Sequence, residues 1–342
     1  MDERAARRRR LLRRGLGVLV GLVVGLAAAE VAVRVRYPVL NLRRDFEPGI
    51  YVEDPVRGYA NQADYRGVFR TYFEDTPVRT NSLGFRGEEP PADVEGALRV
   101  LCLGDSNVFG QGVRDDETLP AQLERLLAAK GRAVVYNAGV SGYATENELR
   151  TLQVFGPRLR PQVVVLGWLD NDLEGPDLQV GHGHLVERAE DRDRVKKELK
   201  PRWYEVSHLG RLLSIGVRTA RHHARTSARA AEQEAVPEAA LARCLTLLRE
   251  VQAECLRLGA RLVVVAYVGQ PEVETGARSA VVDAFVAGAR AAGIDVLESY
   301  GPLREEFERT GRGLFAPRDR VHPNALGHEV IARALAERLG GP

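Results

Sequence analysis

The sequence predicts an α/β protein: a parallel five-stranded sheet with helices on both faces, preceded by an apolar N-terminal span. Three observations carry this. Short, unbroken runs rich in Val and Leu recur from Leu98 onward, amphipathic helical patterns alternate with them, and an uncharged stretch follows an arginine cluster at the N-terminus. Unbroken apolar runs mark strands covered on both faces. Their alternation with helices implies parallel pairing through crossovers. At 342 residues the chain has room for one large domain with smaller appendages.

The expected strands are Val100–Leu103, Val134–Tyr136, Val163–Leu166, Leu262–Val268 and Ile294–Leu297. Between them lie helical patterns. The first runs through Leu119, Leu123, Leu126 and Leu127, with Pro120 in its first turn and Gly131 past its end. Others cover Glu146–Leu159, Ala239–Leu258 and Arg278–Ala292, and a last helix follows Asn324. The rhythm breaks at 173–237, which shows dense charge (Glu187 to Lys200) and no strand signal. It reads as an exposed helical insertion, with a lid beside the active site as the functional alternative.

Upstream, residues 37–97 lack helical periodicity and are rich in Tyr, Phe, Asp, Gly and Pro. Strand-like stretches such as Tyr65–Phe73 mark a small irregular β-containing region. Residues 1–36 combine seven arginines before position 15 with an uncharged run, Gly15 to Ala29, and further apolar residues at Val31 to Val33. A bilayer-crossing helix needs roughly 20 apolar residues, so Gly15–Val33 is just long enough, with Glu30 near its end. Arginines ahead of a span place the N-terminus in the cytoplasm and the body outside. The competing reading is a cleaved signal peptide, with Ala27-Ala28-Ala29 as the cleavage site. The organisation expected is therefore 1–36, 37–97, and a catalytic domain over 98–342.

Charge adds an exclusion. The net charge is +2 and the excess sits at the N-terminus, so nothing points to nucleic acid. Of the three cysteines, Cys102 falls in a core strand. Cys244 and Cys255 lie eleven residues apart on one helix, roughly 16 Å along its axis, too far to bridge; three buried thiols are expected. His182 and His184 lack clustered carboxylates and read as surface residues, and His222-His223 among Arg218, Arg221 and Arg225 reads as a solvated basic face. No metal and no organic cofactor is expected. Gly104-Asp105-Ser106 lacks the Gly-Lys-Ser/Thr ending of a phosphate loop.

In an open parallel sheet, ligands bind at the carboxyl ends of the strands. Ser106, Gly142 and Asn171 follow the first, second and third expected strands, and Asp319 precedes His322 by three residues near the C-terminus. A serine hydroxyl is a weak nucleophile until an imidazole takes its proton, and the imidazole needs a carboxylate to hold its tautomer. Ser106 reads as an exposed loop nucleophile. Asp319 and His322 lie close enough in sequence to meet in one turn. The Ser106 amide, the Gly142 amide and the Asn171 side chain are suitable donors to a developing oxyanion. Asp105 and Asp172 read as structural groups that bond loop amides.

Four blocks, Gly104-Asp-Ser106, Asn137-Ala-Gly-Val-Ser-Gly142, Asn171-Asp172 and Asp319-Arg-Val-His322-Pro323, stand in the order found in SGNH hydrolases, also called GDSL esterases or lipases. The resemblance covers about Leu98 to Leu339. It implies a flavodoxin-like three-layer α/β/α sandwich, Ser106 as nucleophile, His322 as base and Asp319 as its orienting acid. Thr80-Asn-Ser-Leu-Gly-Phe-Arg86 resembles a segment of membrane-anchored bacterial members. The third block departs from the usual Gly-x-Asn-Asp, because Trp168-Leu169-Asp170 separates Gly167 from Asn171. The Gly-x-Ser-x-Gly elbow of the larger α/β-hydrolase fold is absent.

The expectation is a serine ester hydrolase acting outside the cytoplasmic membrane on a small-molecule or polysaccharide-linked ester, with the membrane as partner of the N-terminal helix. An O-acyltransferase would use the same triad with a sugar hydroxyl in place of water. A non-catalytic envelope or carbohydrate-binding module is the alternative from another class.

Overall fold

A computed structural model describes residues 3–41, 45–173, 175, 178–181, 184–186, 203–232, 238–317 and 319–340. The chain forms two compact units, one of residues 1–44, 70–75 and 198–232, the other of 45–69, 76–197 and 233–342.

The larger unit is built on five strands: β1 (Leu98–Leu103), β2 (Ala133–Asn137), β3 (Val163–Trp168), β4 (Arg261–Ala266) and β5 (Asp295–Glu298). They pair in the order β2-β1-β3-β4-β5, every pair parallel. This is the 2-1-3-4-5 order of flavodoxin-like sheets, with its reversal at β1/β3. The strands lie within two residues of the sequence expectation at nearly every end. Val100, Leu101, Cys102 and Leu103 are fully buried, as are Val263, Val264 and Val265, because helices cover both faces. Helices Leu119–Ala128, Tyr300–Thr310 and Ala325–Gly340 pack together in one layer, and Thr145–Leu159, Glu238–Leu258 and Ala280–Ala291 in the other. Trp168 stacks on Phe285 at 3.6 Å between ring centroids and donates its indole N–H to Cys244 Sγ at 3.2 Å. All three cysteines are buried and free; burial pushes the Cys244 and Cys255 thiols up to about 12.

Three helices escape the sequence reading: Ser106–Phe109, Gln270–Thr275 and Tyr300–Thr310. The first two are shorter than two turns, and the third has charges at five of its eleven positions with only Leu303 buried. The 173–237 segment needs a correction. It does contain a long helix, His208–Glu232, but Gln179–Gly181 pairs antiparallel with His184–Val186 as a hairpin. Strands of three residues are too short to leave a period-2 signature. His184 is also not a surface residue: it is buried, with Nδ1 2.8 Å from Asp45 Oδ2. His182 and the charged run Glu187 to Lys200 lie outside the described residues.

Ahead of the sheet, Tyr51–Asp54 pairs antiparallel with Gly58–Asn61, and Asp45–Phe46, Arg66–Arg70 and Asp75–Arg79 form a three-stranded sheet. An aromatic cluster of Phe46, Tyr51, Tyr59, Phe69, Phe109 and Tyr143 holds these strands against the loops at the carboxyl ends of β1 and β2.

The smaller unit contains helix Glu3–Arg36, of which Arg7–Arg36 is long and apolar enough to cross a membrane. Glu30 on this helix accepts the His208 and Leu209 amides at 2.9 and 2.8 Å, capping the helix that starts there.

Candidate active site

Ser106 opens the four-residue helix that follows β1, and Asp105 caps that helix by accepting the Asn107 amide at 2.8 Å. The serine is only 8% exposed, so it is a recessed helix residue rather than the exposed loop residue expected from sequence. Its Oγ lies 2.8 Å from His322 Nε2. His322 Nδ1 lies 2.7 Å from Asp319 Oδ2. The other Asp319 oxygen accepts the amides of Val321 at 2.9 Å and His322 at 3.2 Å. With both Asp319 oxygens accepting, Nδ1 carries the ring proton and donates it to Oδ2, which leaves Nε2 to accept from the serine hydroxyl.

The loop that carries the histidine is fixed from both sides. The Ala316 amide donates to the His322 carbonyl at 2.9 Å. Asn324 Oδ1 accepts the Gly327 amide at 3.0 Å, so Asn324 rather than His322 caps the last helix. His328, one turn into that helix, is buried with its ring nitrogens unpartnered among the described residues, and burial pushes it down to about 3. A permanently neutral imidazole of this kind is packing, not a base.

The loop after β2 is tied to the nucleophile loop by the Val140 amide donating to the Gly104 carbonyl at 3.0 Å. Gly139 passes so close that a Cβ there would lie 2.3 Å from the Phe109 nitrogen. Gly142 has φ +77°, a left-handed conformation that glycine adopts without strain. Among the described residues, the Ser106 and Gly142 amides donate to nothing. The longer third block resolves as a short 3-10 turn, Asp170–Leu173, that brings Asn171 back so that its Nδ2 donates to Asp105 Oδ2 at 3.2 Å. Its second amide hydrogen stays available. All five sequence candidates thus lie on or beside the loops at the carboxyl edge of the sheet.

Two contributors were not read from the sequence. Arg86 is buried, and its guanidinium donates to the Phe109 and Val113 carbonyls at 3.0 and 2.6 Å, to the Gly110 carbonyl, and to Asp115 Oδ1 at 3.0 Å. The Phe109 and Gly110 carbonyls end the Ser106 helix, where backbone acceptors have no helical partner. The Thr80–Arg86 segment was the only sequence hint. The second is Glu148, fully buried with both carboxyl oxygens unpartnered among the described residues. Burial, with the charges of Asp172 and Asp105 nearby, pushes its pKa well up. Asp172 is likewise raised by burial while it accepts the Leu169 amide at 2.9 Å; burial also raises Asp105. The two aspartates bond loop amides, as the sequence suggested.

Glu148 therefore binds its proton more tightly in the folded state than in the unfolded chain. The stability it contributes is complete below the unfolded carboxyl pKa and is lost as pH rises toward the folded value. The loss runs at about 1.4 kcal/mol per pH unit for one such group. Glu148→Gln is expected to flatten the decline of the denaturation midpoint above roughly pH 4. Identical pH–stability curves for the variant and the parent would refute this assignment.

The family model described as GDSL-like lipase/acylhydrolase matches residues 102–330. The chain belongs to this family. It is a serine esterase of the GDSL type, and its sheet, α-layers and block order agree with that membership. No functionally curated protein matches it significantly. Among solved structures, it is similar to an α/β hydrolase from the Lake Arreo metagenome, at 18% identity and TM-score 0.44, covering 72% of this chain and 95% of that one. A lipolytic protein of the G-D-S-L family from Veillonella parvula matches at 12% identity and TM-score 0.40, over 71% and 98% of the two chains. A catalytic mutant of an acetylxylan esterase from Geobacillus stearothermophilus matches at 17% and 0.40, over 71% and 94%. None of these figures bears on the substrate of the GDSL-type enzyme described here.

Proposed function

We propose that this esterase hydrolyses a short-chain acyl ester outside the cytoplasmic membrane through an acyl-enzyme formed on Ser106. The observation that carries the reading is the unbroken run of hydrogen-bond distances from Asp319 through His322 to Ser106, 2.7 and then 2.8 Å. His322 takes the hydroxyl proton as Ser106 Oγ bonds to the ester carbonyl carbon. The oxyanion is held by the Ser106 and Gly142 amides and the free Asn171 hydrogen. His322 then returns the proton to the leaving alcohol, and water repeats the sequence to release the acid. No metal or organic group takes part.

A small acyl group is favoured because no long apolar stripe flanks these loops in the sequence. An acetyl group on a polysaccharide or a small alcohol is the candidate ester. The location rests on the N-terminal helix, which runs unbroken through Ala27-Ala28-Ala29, and on the arginines before it, retained on the cytoplasmic side. The apolar length of this helix and the arginines ahead of it support its reading as a retained anchor. A fluorophosphonate probe is expected to label the purified chain once, at Ser106, and turnover of p-nitrophenyl esters to fall from acetyl to octanoyl. No labelling refutes the mechanism, and a rise with chain length refutes the acyl assignment.

A further inference from the structure

We infer that the helix His208–Glu232 lies in the outer interface of the membrane crossed by the N-terminal helix, with an apolar face toward the acyl chains and arginines at the phospholipid phosphates. The inference rests on the reading of that N-terminal helix as a retained anchor.

The depth of the helix is set by Glu30. This residue follows fifteen uncharged positions, Gly15 to Ala29, a length of about 22 Å, which puts it between one and two turns inside the far boundary of a hydrocarbon layer about 30 Å thick. An ionised carboxylate there is costly unless its oxygens are satisfied. Glu30 meets that need with the amides of His208 and Leu209, at 2.9 and 2.8 Å, and with Arg34 at 2.7 Å. The second helix therefore starts just inside the outer boundary, within two turns of where the first leaves the bilayer.

Its exposed side is the wrong one for water. Ile215 is fully buried within the smaller unit, while Leu213 is 63% and Val217 51% exposed, and Gly216 and Ala220 are exposed between and beyond them. Val206, just ahead of the helix, is 71% exposed. A helix packed on one side and wetted on the other turns polar residues outward. Here the outward side described, Leu213, Gly216, Val217 and Ala220, is apolar.

The charge pattern names the partner. The helix carries Arg211, Arg218, Arg221, Arg225 and Arg229 and no carboxylate before Glu232. Arg211 and Arg218 bond to Glu205, the former to its carbonyl at 2.7 Å, the latter to its carboxylate. In the sequence Arg221, Arg225 and Arg229 recur at four-residue spacing, and arginines of an interfacial helix meet phosphates with their heads while their stems cover acyl chain. An arginine-rich helix of this build, tied through Glu30 to a span, suits an anionic phospholipid surface.

The test uses the full chain in nanodiscs of mixed phosphatidylglycerol and phosphatidylcholine. Leu213→Cys, Val217→Cys, Arg225→Cys and Leu22→Cys are each tagged with a nitroxide; the native thiols are buried. Spin relaxation then compares exposure to lipid-soluble oxygen with exposure to a water-soluble nickel chelate. Positions 213 and 217 are expected to favour oxygen several-fold over position 225, with position 22 deeper still. A lipid-buried label at 22 with wetted labels at 213 and 217 overturns the inference and leaves the anchor intact. A wetted label at 22 overturns the anchor and the inference with it. Dipolar broadening between labels at 213 would place a second copy on this face, and so overturn the lipid assignment.

Discussion

Replacing Ser106 by alanine is expected to lower kcat for any accepted ester by about 10⁴- to 10⁶-fold and to abolish labelling by fluorophosphonate. The size follows from what the hydroxyl does. Without it no acyl-enzyme forms, and only the oxyanion donors and substrate binding remain to accelerate direct attack by water. Stability is expected to change by no more than about 1 kcal/mol. The hydroxyl is nearly buried but makes its contact with an exchangeable partner, His322 Nε2, and the helix cap is provided by Asp105 rather than by Ser106. Turnover within tenfold of the parent, measured on active-site-titrated protein, would exclude Ser106 as nucleophile.

The second large effect separates the base from the group that orients it. His322→Ala is expected to cost nearly as much as loss of the serine, because triad members act as a unit and their losses do not add. Asp319→Asn is expected to cost about 10⁴-fold, through the wrong imidazole tautomer. An asparagine amide facing Nδ1 can donate, so the ring accepts there and turns its proton toward Ser106. Equal residual rates for Asp319→Asn and the parent would mean that Asp319 orients nothing.

The sheet was legible because its strands are buried on both faces, which leaves unbroken apolar runs such as Val163–Leu166. The loop chemistry was legible for a different reason. Ser106, Gly142 and Asn171 each follow such a run, so locating the strands located the loops, and Asp319 and His322 stand beside a helix with a clear capping residue in Asn324. Elements with short or polar signatures were lost. Tyr300–Thr310 buries little more than Leu303, and each strand of the 179–186 hairpin spans three residues. Arg86 and Glu148 were illegible in principle, since a buried charge or acid is defined by partners distant in sequence. The carbonyls of Phe109 and Val113, more than twenty residues away, give Arg86 its meaning.

That arginine also bears on how portable the enzyme is. Every residue of the Ser–His–Asp set lies downstream of Leu98, so a gene trimmed to the sheet would keep the whole reactive set. It would lose the cation that closes the end of the nucleophile helix, and with it Tyr59, whose hydroxyl donates to the Ser141 carbonyl at 3.0 Å, and Asn61, which holds the Gly139 carbonyl at 3.0 Å. Two of the loops that shape the reaction centre are thus braced by residues that precede the first sheet strand. The smallest transplantable module of this hydrolase begins with those braces, and a chimera joined at Leu98 would inherit the reagents without the vice that holds them.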